Sequence, residues 1–343
     1  MNEYLRLLST GKTLTVEQAE KAMHLLMKGE ADPIEIAGFL MALRSRGETL
    51  DELVGFTRIM REYAVSVTCP DPHAIDLCGT GGDQSGTFNI STAAAIVCAG
   101  AGVTVAKHGN RSISSKSGSA DVLKALGVQI ELGKEGVEYC LEKAGIAFIF
   151  APFFHPALKY VMPVRRTLRA RTFFNILGPL CNPAGVRRQI VGAFSREVAE
   201  TMSQILAALN AEHIVAVHSR DGLDECSLSA PTDAFLFKNG DSSVASSTIT
   251  PEQFGLNAAS IDTIKGDTAE ENAAILTQIF DSKPGPPRDV VLLNATFALH
   301  TSGRYDSLES SFAAATESID SGAARNSLKA LIEASQNAPV RTA

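Results

Sequence analysis

The sequence predicts an α/β protein: a small all-helical domain, then a larger domain with a mostly parallel central sheet flanked by helices. Two observations predict this. Residues 1–65 carry helix start and stop signals in close succession, and from Pro70-Asp71-Pro72 onward short apolar runs alternate with helical stretches. Several of those runs are apolar on both faces, as a strand buried in a parallel sheet is.

The helical part is punctuated in order. Thr15 with Gln18 reads as a capping box, and Ala19, Ala22, Met23, Leu26 and Met27 follow at helical spacing until Gly29 stops the run. Asp32-Pro33 opens the next helix, with proline at the tolerated first position, and Gly47 ends it. Thr49 with Glu52 starts a third, carrying Leu53, Val54, Phe56, Ile59 and Met60. Three antiparallel helices with tight connections are expected. In the second part, strands are expected at Ala74–Leu77, Val103–Ala106, Ala147–Phe150, Ile190–Phe194, Ile214–His218 and Val290–Leu293. Helices are expected around Ser91–Ala99, Ser119–Leu126, Arg196–Leu209 and Ala269–Phe280, and the residues after Ser335 read as a short frayed tail. A ligand is expected in the loops at the carboxyl ends of the strands.

Composition narrows the function. With 31 basic and 38 acidic residues the net charge is −7, so nucleic-acid binding, which needs a basic field, is not expected. A polyanionic ligand would instead require a local site of backbone amides, a few cations and a metal. The N-terminus lacks a basic region followed by an apolar core, and no apolar run is long enough to span a bilayer, so a cytoplasmic protein is expected. Six scattered cysteines fit neither a zinc site nor a disulfide frame and read as reduced thiols.

The richest chemistry lies between Asp76 and Gly127. A strand runs into Gly79-Thr80-Gly81-Gly82-Asp83, then Thr87-Phe88-Asn89-Ile90-Ser91-Thr92 opens a helix. Glycines let the backbone approach a ligand closely, and the free amides of a helix start favour phosphate oxygens. Alone, this is also what a plain glycine-rich turn before a capped helix looks like, and it matches neither the P-loop nor the dinucleotide fingerprint. A second loop shifts the balance. Lys107-His108-Gly109-Asn110-Arg111 follows a strand, and a run from Ser112 to Ser119, with serines at 112, 114, 115, 117 and 119, enters a helix. Lys107 can neutralise phosphate charge while the serines and glycines donate hydrogen bonds. Two such loops within 50 residues point to an anion site.

Two further segments stand out. Residues 155–185 hold Arg165, Arg166 and Arg171, any of which suits a carboxylate or an ordinary charged helix face. After an apolar strand, Asp224-Glu225 suits a hard cation such as Mg²⁺, or a solvated turn.

The glycine loop, Asn89-Ile90-Ser91-Thr92, Lys107-His108-Gly109-Asn110-Arg111 and the serine loop through Leu123 resemble the signature of the anthranilate phosphoribosyltransferases. The likeness extends over nearly the whole chain, to Ala269-Glu270-Glu271-Asn272-Ala273. It implies the fold class shared with nucleoside phosphorylases, with a glycine-rich anion loop. The helical domain would comprise residues 1–70 with a second contribution from about 163–186, and the α/β domain 71–162 and 187–337. The implied reaction transfers the phosphoribosyl group of 5-phosphoribosyl 1-pyrophosphate to the amine of anthranilate, in tryptophan biosynthesis.

By the same resemblance, Lys107, Asp83 and Arg165 are the catalytic candidates. Gly79, Gly82, Asp83, Thr87, Asn89, Ser91, Thr92, Lys107 and Ser119 would bind phosphoribosyl pyrophosphate, and Gly79, His108, Asn110 and Arg165 would bind anthranilate. Ser91, Asp224 and Glu225 would hold two Mg²⁺ ions, and the protein would be a homodimer. His108 is expected to touch the acceptor rather than transfer a proton. Two positions depart from the pattern: Arg169 and Ser219 stand where glycines are usual. The competing readings are a pyrimidine nucleoside phosphorylase, a transferase with another acceptor, and a non-catalytic relative that binds nucleic acid. The last is disfavoured by the acidic charge and the retained Asp224-Glu225 pair.

Overall fold

A computed structural model describes residues 1–83, 85–111 and 117–339. The chain opens with four helices where three were expected: α1 (Asn2–Ser9), α2 (Val16–Lys28), α3 (Pro33–Arg46) and α4 (Leu50–Glu62). α1 has no side-chain cap to announce it, and only Tyr4 and Leu8, one turn apart, are buried. The other three begin in capping boxes at Thr15, Asp32 and Thr49. Glu52, fully buried, also accepts from Leu14 N at 2.8 Å and pairs with Arg46, so one carboxylate joins three helix ends.

Beyond residue 70 a seven-stranded sheet is ordered β3-β2-β1-β4-β5-β6-β7. β1 (Ile75–Gly79), β2 (Val105–Gly109), β3 (Ile146–Phe150), β4 (Arg188–Gly192) and β5 (His213–Ser219) are parallel. β6 (Thr232–Lys238) and β7 (Ala245–Ile249) close one edge antiparallel. Sequence patterning missed this pair: β7 is almost wholly exposed and has no buried face to mark it, whereas β6 is partly buried. One expected strand is a helix: Val290–Leu293 lies inside α13 (Pro286–Ser302). That helix is buried on nearly every side, and a short apolar run cannot distinguish an all-round buried helix from a buried strand.

The order reverses between β1 and β4, which opens a crevice at their carboxyl ends. α5 (Ile90–Gly100) follows β1, and α6 (Ser119–Ala125) follows the loop after β2. α7 (Lys134–Ala144) precedes β3, and three short helices follow it: α8 (Ala151–Phe154), α9 (Met162–Leu168) and α10 (Phe174–Leu180). α11 (Arg196–Ala208) joins β4 to β5, while α12 (Ala269–Phe280), α14 (Leu308–Asp320) and α15 (Ala323–Asn337) complete the chain with α13. α15 runs past the point where a frayed tail was expected, because Ser335 is buried and accepts from Gln129 N at 3.0 Å.

Side-chain alternation divides the core between the two faces of the sheet. Val215 and Val217 point into a cluster with α5, α13 and α15, whereas Ile214 and Ala216 point into one with α11 and the N-terminal helices. The second cluster also takes in residues 157–181. Phe173 stacks on Phe56 of α4 and on Phe174, each at 4.5 Å between ring centres. Arg61 of α4 donates to Leu180 O at 2.7 Å. The N-terminal helices therefore sit beside the crevice, and the segment bearing Arg165 packs between them and the sheet.

Candidate active site

At the carboxyl end of β1 the chain turns through Gly79-Thr80-Gly81-Gly82. Gly81 and Gly82 adopt positive φ of 63° and 75°, which only glycine takes without strain. Thr80 ties the turn to β4: its N donates to Gly192 O and its Oγ1 accepts from Phe194 N, both at 3.0 Å. Arg171 donates to Gly82 O at 2.6 Å and lies 4.3 Å from the Phe194 ring centre. The acidic loop after β5 crosses the same strand ends. Asp224 accepts from Gly81 N at 2.8 Å, and Glu225 accepts from Ser91 N at 3.2 Å at the start of α5. Room for this crossing comes from two glycines. A Cβ on Gly192 would lie 1.6 Å from Asp224 O, and one on Gly79 would lie 2.6 Å from Asp224 Oδ2.

Three carboxylates therefore face one another. Burial, reinforced by repulsion from Asp83, lifts Asp224 to about 7. Burial, reinforced by Asp224, lifts Glu225 to about 8. Asp83 is also held locally, accepting from Ser85 Oγ at 2.6 Å. The facing positive charge is Lys107, four per cent exposed, whose Nζ donates to Leu77 O and reaches Ser91 Oγ at 3.4 Å. Burial pushes its pKa below the usual lysine range, against the pull of Asp76, Cys78 and Glu225.

Beneath Lys107 lies a residue to which the sequence assigned no role. Asp76 is completely buried, and burial raises its pKa to about 6 against the opposing effects of Lys107, Asn182 and the His108 amide. It accepts from Asn182 Nδ2 at 2.8 Å and His108 N at 3.1 Å, so it fixes the backbone of the strand that presents Lys107. A lone Asp inside an apolar strand is a signal that could have pointed to it.

His108 faces His155 across 3.2 Å between their Nε2 atoms. Burial holds both imidazoles neutral: His108 falls well below its usual value and His155 falls to about 4. With both rings neutral, one must donate to the other. Asn110 O accepts from Ser119 Oγ at 3.2 Å, closing the ends of the serine loop. The serines expected at 112, 114 and 115, with Lys116, lie outside the described residues. Thr92 is buried, and its hydroxyl has no hydrogen-bond partner among the described residues. Thr87 pairs with Lys265 in an isolated β-bridge, and Asn89 donates to Ser117 O at 3.2 Å.

Gly79, Gly82, Asp83, Ser91, Lys107, Asp224 and Glu225 thus meet in one cluster, while Arg165 stands apart on α9. Its guanidinium lies 5.0 Å from the Phe174 ring centre and 3.6 Å from Met162 Sδ. No carboxylate pairs with it among the described residues, and burial lowers its pKa. Arg169 ends the same helix in the left-handed conformation, φ 49°, which accounts for the glycine usual there. Among the described residues no three His, Cys, Asp or Glu side chains converge as a ready metal cage.

Known proteins resemble this one over nearly the whole chain. Residues 2–64 match the helical bundle domain, and residues 71–325 the a/b domain, of a glycosyl transferase family. The chain is 58% identical to an anthranilate phosphoribosyltransferase of Salinibacter ruber, covering 98% of this chain and 99% of that one. A crystal structure of anthranilate phosphoribosyltransferase from Thermus thermophilus superposes with a TM-score of 0.90 at 39% identity, covering 97% and 99% of the two chains. The Saccharomyces cerevisiae enzyme in complex with PRPP and Mg matches at 0.87 and 27% identity, with 97% of each chain covered. The same yeast enzyme in complex with 4-fluoroanthranilate matches at 0.86 and 26%, again over 97% of each chain.

Proposed function

The chain belongs to the anthranilate phosphoribosyltransferase family, and from that premise we propose how its own residues divide the work of the transfer. It moves the phosphoribosyl group of 5-phosphoribosyl 1-pyrophosphate to the amine of anthranilate, giving N-(5-phosphoribosyl)anthranilate and pyrophosphate. The observation that carries the assignment of roles is the meeting of Asp224 and Glu225 with the start of α5, Lys107 and the glycine turn.

Phosphoribosyl pyrophosphate takes the α5 end of the crevice. The amides of the glycine turn, Thr87, Asn89, Ser91, Thr92 and Ser119 receive its oxygens, and Asp83 orients them. The donor set also fits Mg²⁺. Burial and mutual repulsion lift the two adjacent carboxylates to about 7 and about 8 even with Lys107 facing them, and with Ser91 Oγ they offer the hard oxygens this ion prefers. Among the described residues too few side chains converge for an all-protein cage, so two ions per site would be held jointly with the substrate. When bound, Mg²⁺ neutralises charge on the departing pyrophosphate. Lys107 supplies a fixed positive charge from the protein side.

Anthranilate approaches from the helical side. Arg165, with no carboxylate partner among the described residues, receives the anthranilate carboxylate, and His108, Asn110 and the Gly79 backbone line the path. The amine nitrogen bonds to the anomeric carbon, the C–O electron pair leaves on the pyrophosphate oxygen, and the nitrogen releases its proton to solvent. The aromatic amine is a nucleophile without a strong base, and the neutral His108–His155 pair does not supply one.

Residues 1–70 with 163–186 form the helical domain, supported by the aromatic stack of Phe56, Phe173 and Phe174. The protein is a homodimer through that domain. Ile34, 83% exposed, and Met41 on α3 present apolar surface there that a partner copy would cover. No described helix is long and apolar enough to cross a membrane. The enzyme works in the cytoplasm on two small molecules. Anthranilate fluorescence tests the reading. Rapid loss with phosphoribosyl pyrophosphate and Mg²⁺ that a chelator abolishes is expected, and loss indifferent to the chelator would reject the metal role.

A further inference from the structure

We infer that Asn272 is a positioning residue for the donor site. It sets the direction of the Asn89 amide and through it couples the start of α5 to the end of the serine loop. The inference rests on the reading that Asn89 meets phosphoribosyl pyrophosphate. Asn272 lies on α12, 183 positions from Asn89, and is one per cent exposed. Its Oδ1 accepts from Asp267 N at 3.0 Å. A backbone N–H can only donate, so this bond decides which end of the Asn272 amide is oxygen. Nδ2 is then left facing Asn89, where it donates to Oδ1 at 3.0 Å. With its oxygen engaged, Asn89 presents its own Nδ2 to Ser117 O at 3.2 Å. Reversing either amide would set donor against donor or acceptor against acceptor.

Two other features hold the relay in place. Asn89 makes no side-chain cap bond to its own helix, so its amide is free for this use. The anchor segment is stitched to the glycine loop by Gly266 N to Gly86 O at 2.9 Å and Phe88 N to Ile264 O at 3.1 Å. Gly266 leaves room for the relay, because a Cβ there would lie 2.1 Å from Asn272 Oδ1.

The test is Asn272→Asp, which keeps shape and the acceptor for Asp267 N but loses the donor and turns Asn89 around. Steady-state kinetics and melting temperatures, with and without phosphoribosyl pyrophosphate, are measured. The Michaelis constant for phosphoribosyl pyrophosphate should rise roughly tenfold while that for anthranilate stays within about twofold. The melting shift produced by phosphoribosyl pyrophosphate should shrink in step. Asn272→Ala, which leaves the Asn89 amide unguided, should show the same selectivity between substrates. A folded variant with the parent's donor constant would overturn the inference. So would equal rises in both constants alongside a lowered melting temperature, the signature of a purely structural residue. A parent enzyme that does not turn over phosphoribosyl pyrophosphate would remove the underlying reading and the inference with it.

Discussion

Replacing Gly192 with alanine should unseat the acidic loop without altering any group that meets substrate. Gly192 ends β4 with no positive φ, so its backbone conformation is one that alanine adopts, and the effect is purely one of space. The added Cβ would stand 1.6 Å from Asp224 O and 2.6 Å from its carbonyl carbon, where contacts below 3.0 Å essentially never occur. One of the two backbones must therefore retreat by about 1.4 Å. β4 is bonded to β1 on one side and β5 on the other, so the loop is the part that yields. A misplacement of about 1 Å at a reacting centre is worth on the order of 10²-fold in rate. Overpacking of this kind costs about 1–3 kcal/mol, which lowers the melting temperature by a few degrees. The assay is initial-rate anthranilate fluorescence across Mg²⁺ concentrations. A fall in kcat/KM for phosphoribosyl pyrophosphate of about a hundredfold, with a higher Mg²⁺ requirement, is expected. Gly192→Ala with the parent's kinetics at limiting Mg²⁺ would refute the idea that these glycines create the room for Asp224.

Three further outcomes follow from the same geometry. Arg165→Ala should raise the anthranilate Michaelis constant about 10- to 100-fold and leave the donor constant nearly unchanged, since it removes charge-assisted bonds to one substrate. An unchanged anthranilate constant would move the carboxylate elsewhere. Arg169→Gly relieves a left-handed backbone at φ 49° and should stabilise the protein by about 0.5–1 kcal/mol, read as a rise in melting temperature with kinetics intact. No rise would mean the strain is absorbed locally. His155 has its folded pKa depressed from 6.5 to about 4, so unfolding takes up a proton below pH 6.5 and stability is lost as pH falls through that window. Between pH 7 and pH 5 its share is about 2 kcal/mol. Urea unfolding at the two pH values should show His155→Asn losing correspondingly less than the parent, and parallel losses would contradict the buried neutral imidazole.

Much of the architecture was legible because its signals are local. Capping boxes at Thr15 and Thr49, and runs apolar on both faces such as Ile214–Val217, announce helices and central strands within a few residues. α13 was misread for the same reason. Four apolar residues carry no period, and only the helix's full length and its opening prolines tell it from a strand. β7 escaped because an exposed edge needs no alternation that sequence would display, and β6, although partly buried, was not among the expected strands. The phosphate-handling loops were visible as composition: glycines and serines crowded at strand ends, with Lys107 in the last residues of β2. The residues that orient them were not. Asp76 works through Asn182 and the His108 amide, and Asn272 through Asn89, over separations that only the folded chain closes. Gly192 had no mark within the expected strand Ile190–Phe194, and only the folded chain lays Asp224 across it.

The central claim is that Asp224 and Glu225 make donor binding depend on a divalent cation. Titration calorimetry of phosphoribosyl pyrophosphate into the parent and into the Asp224→Asn/Glu225→Gln double variant, with and without Mg²⁺, tests it most directly. Mg²⁺ should tighten binding in the parent by tenfold or more, equivalent to about 1.4 kcal/mol, and should have little effect in the variant. Equal tightening by Mg²⁺ in both proteins would contradict the account and place the cation on the substrate alone.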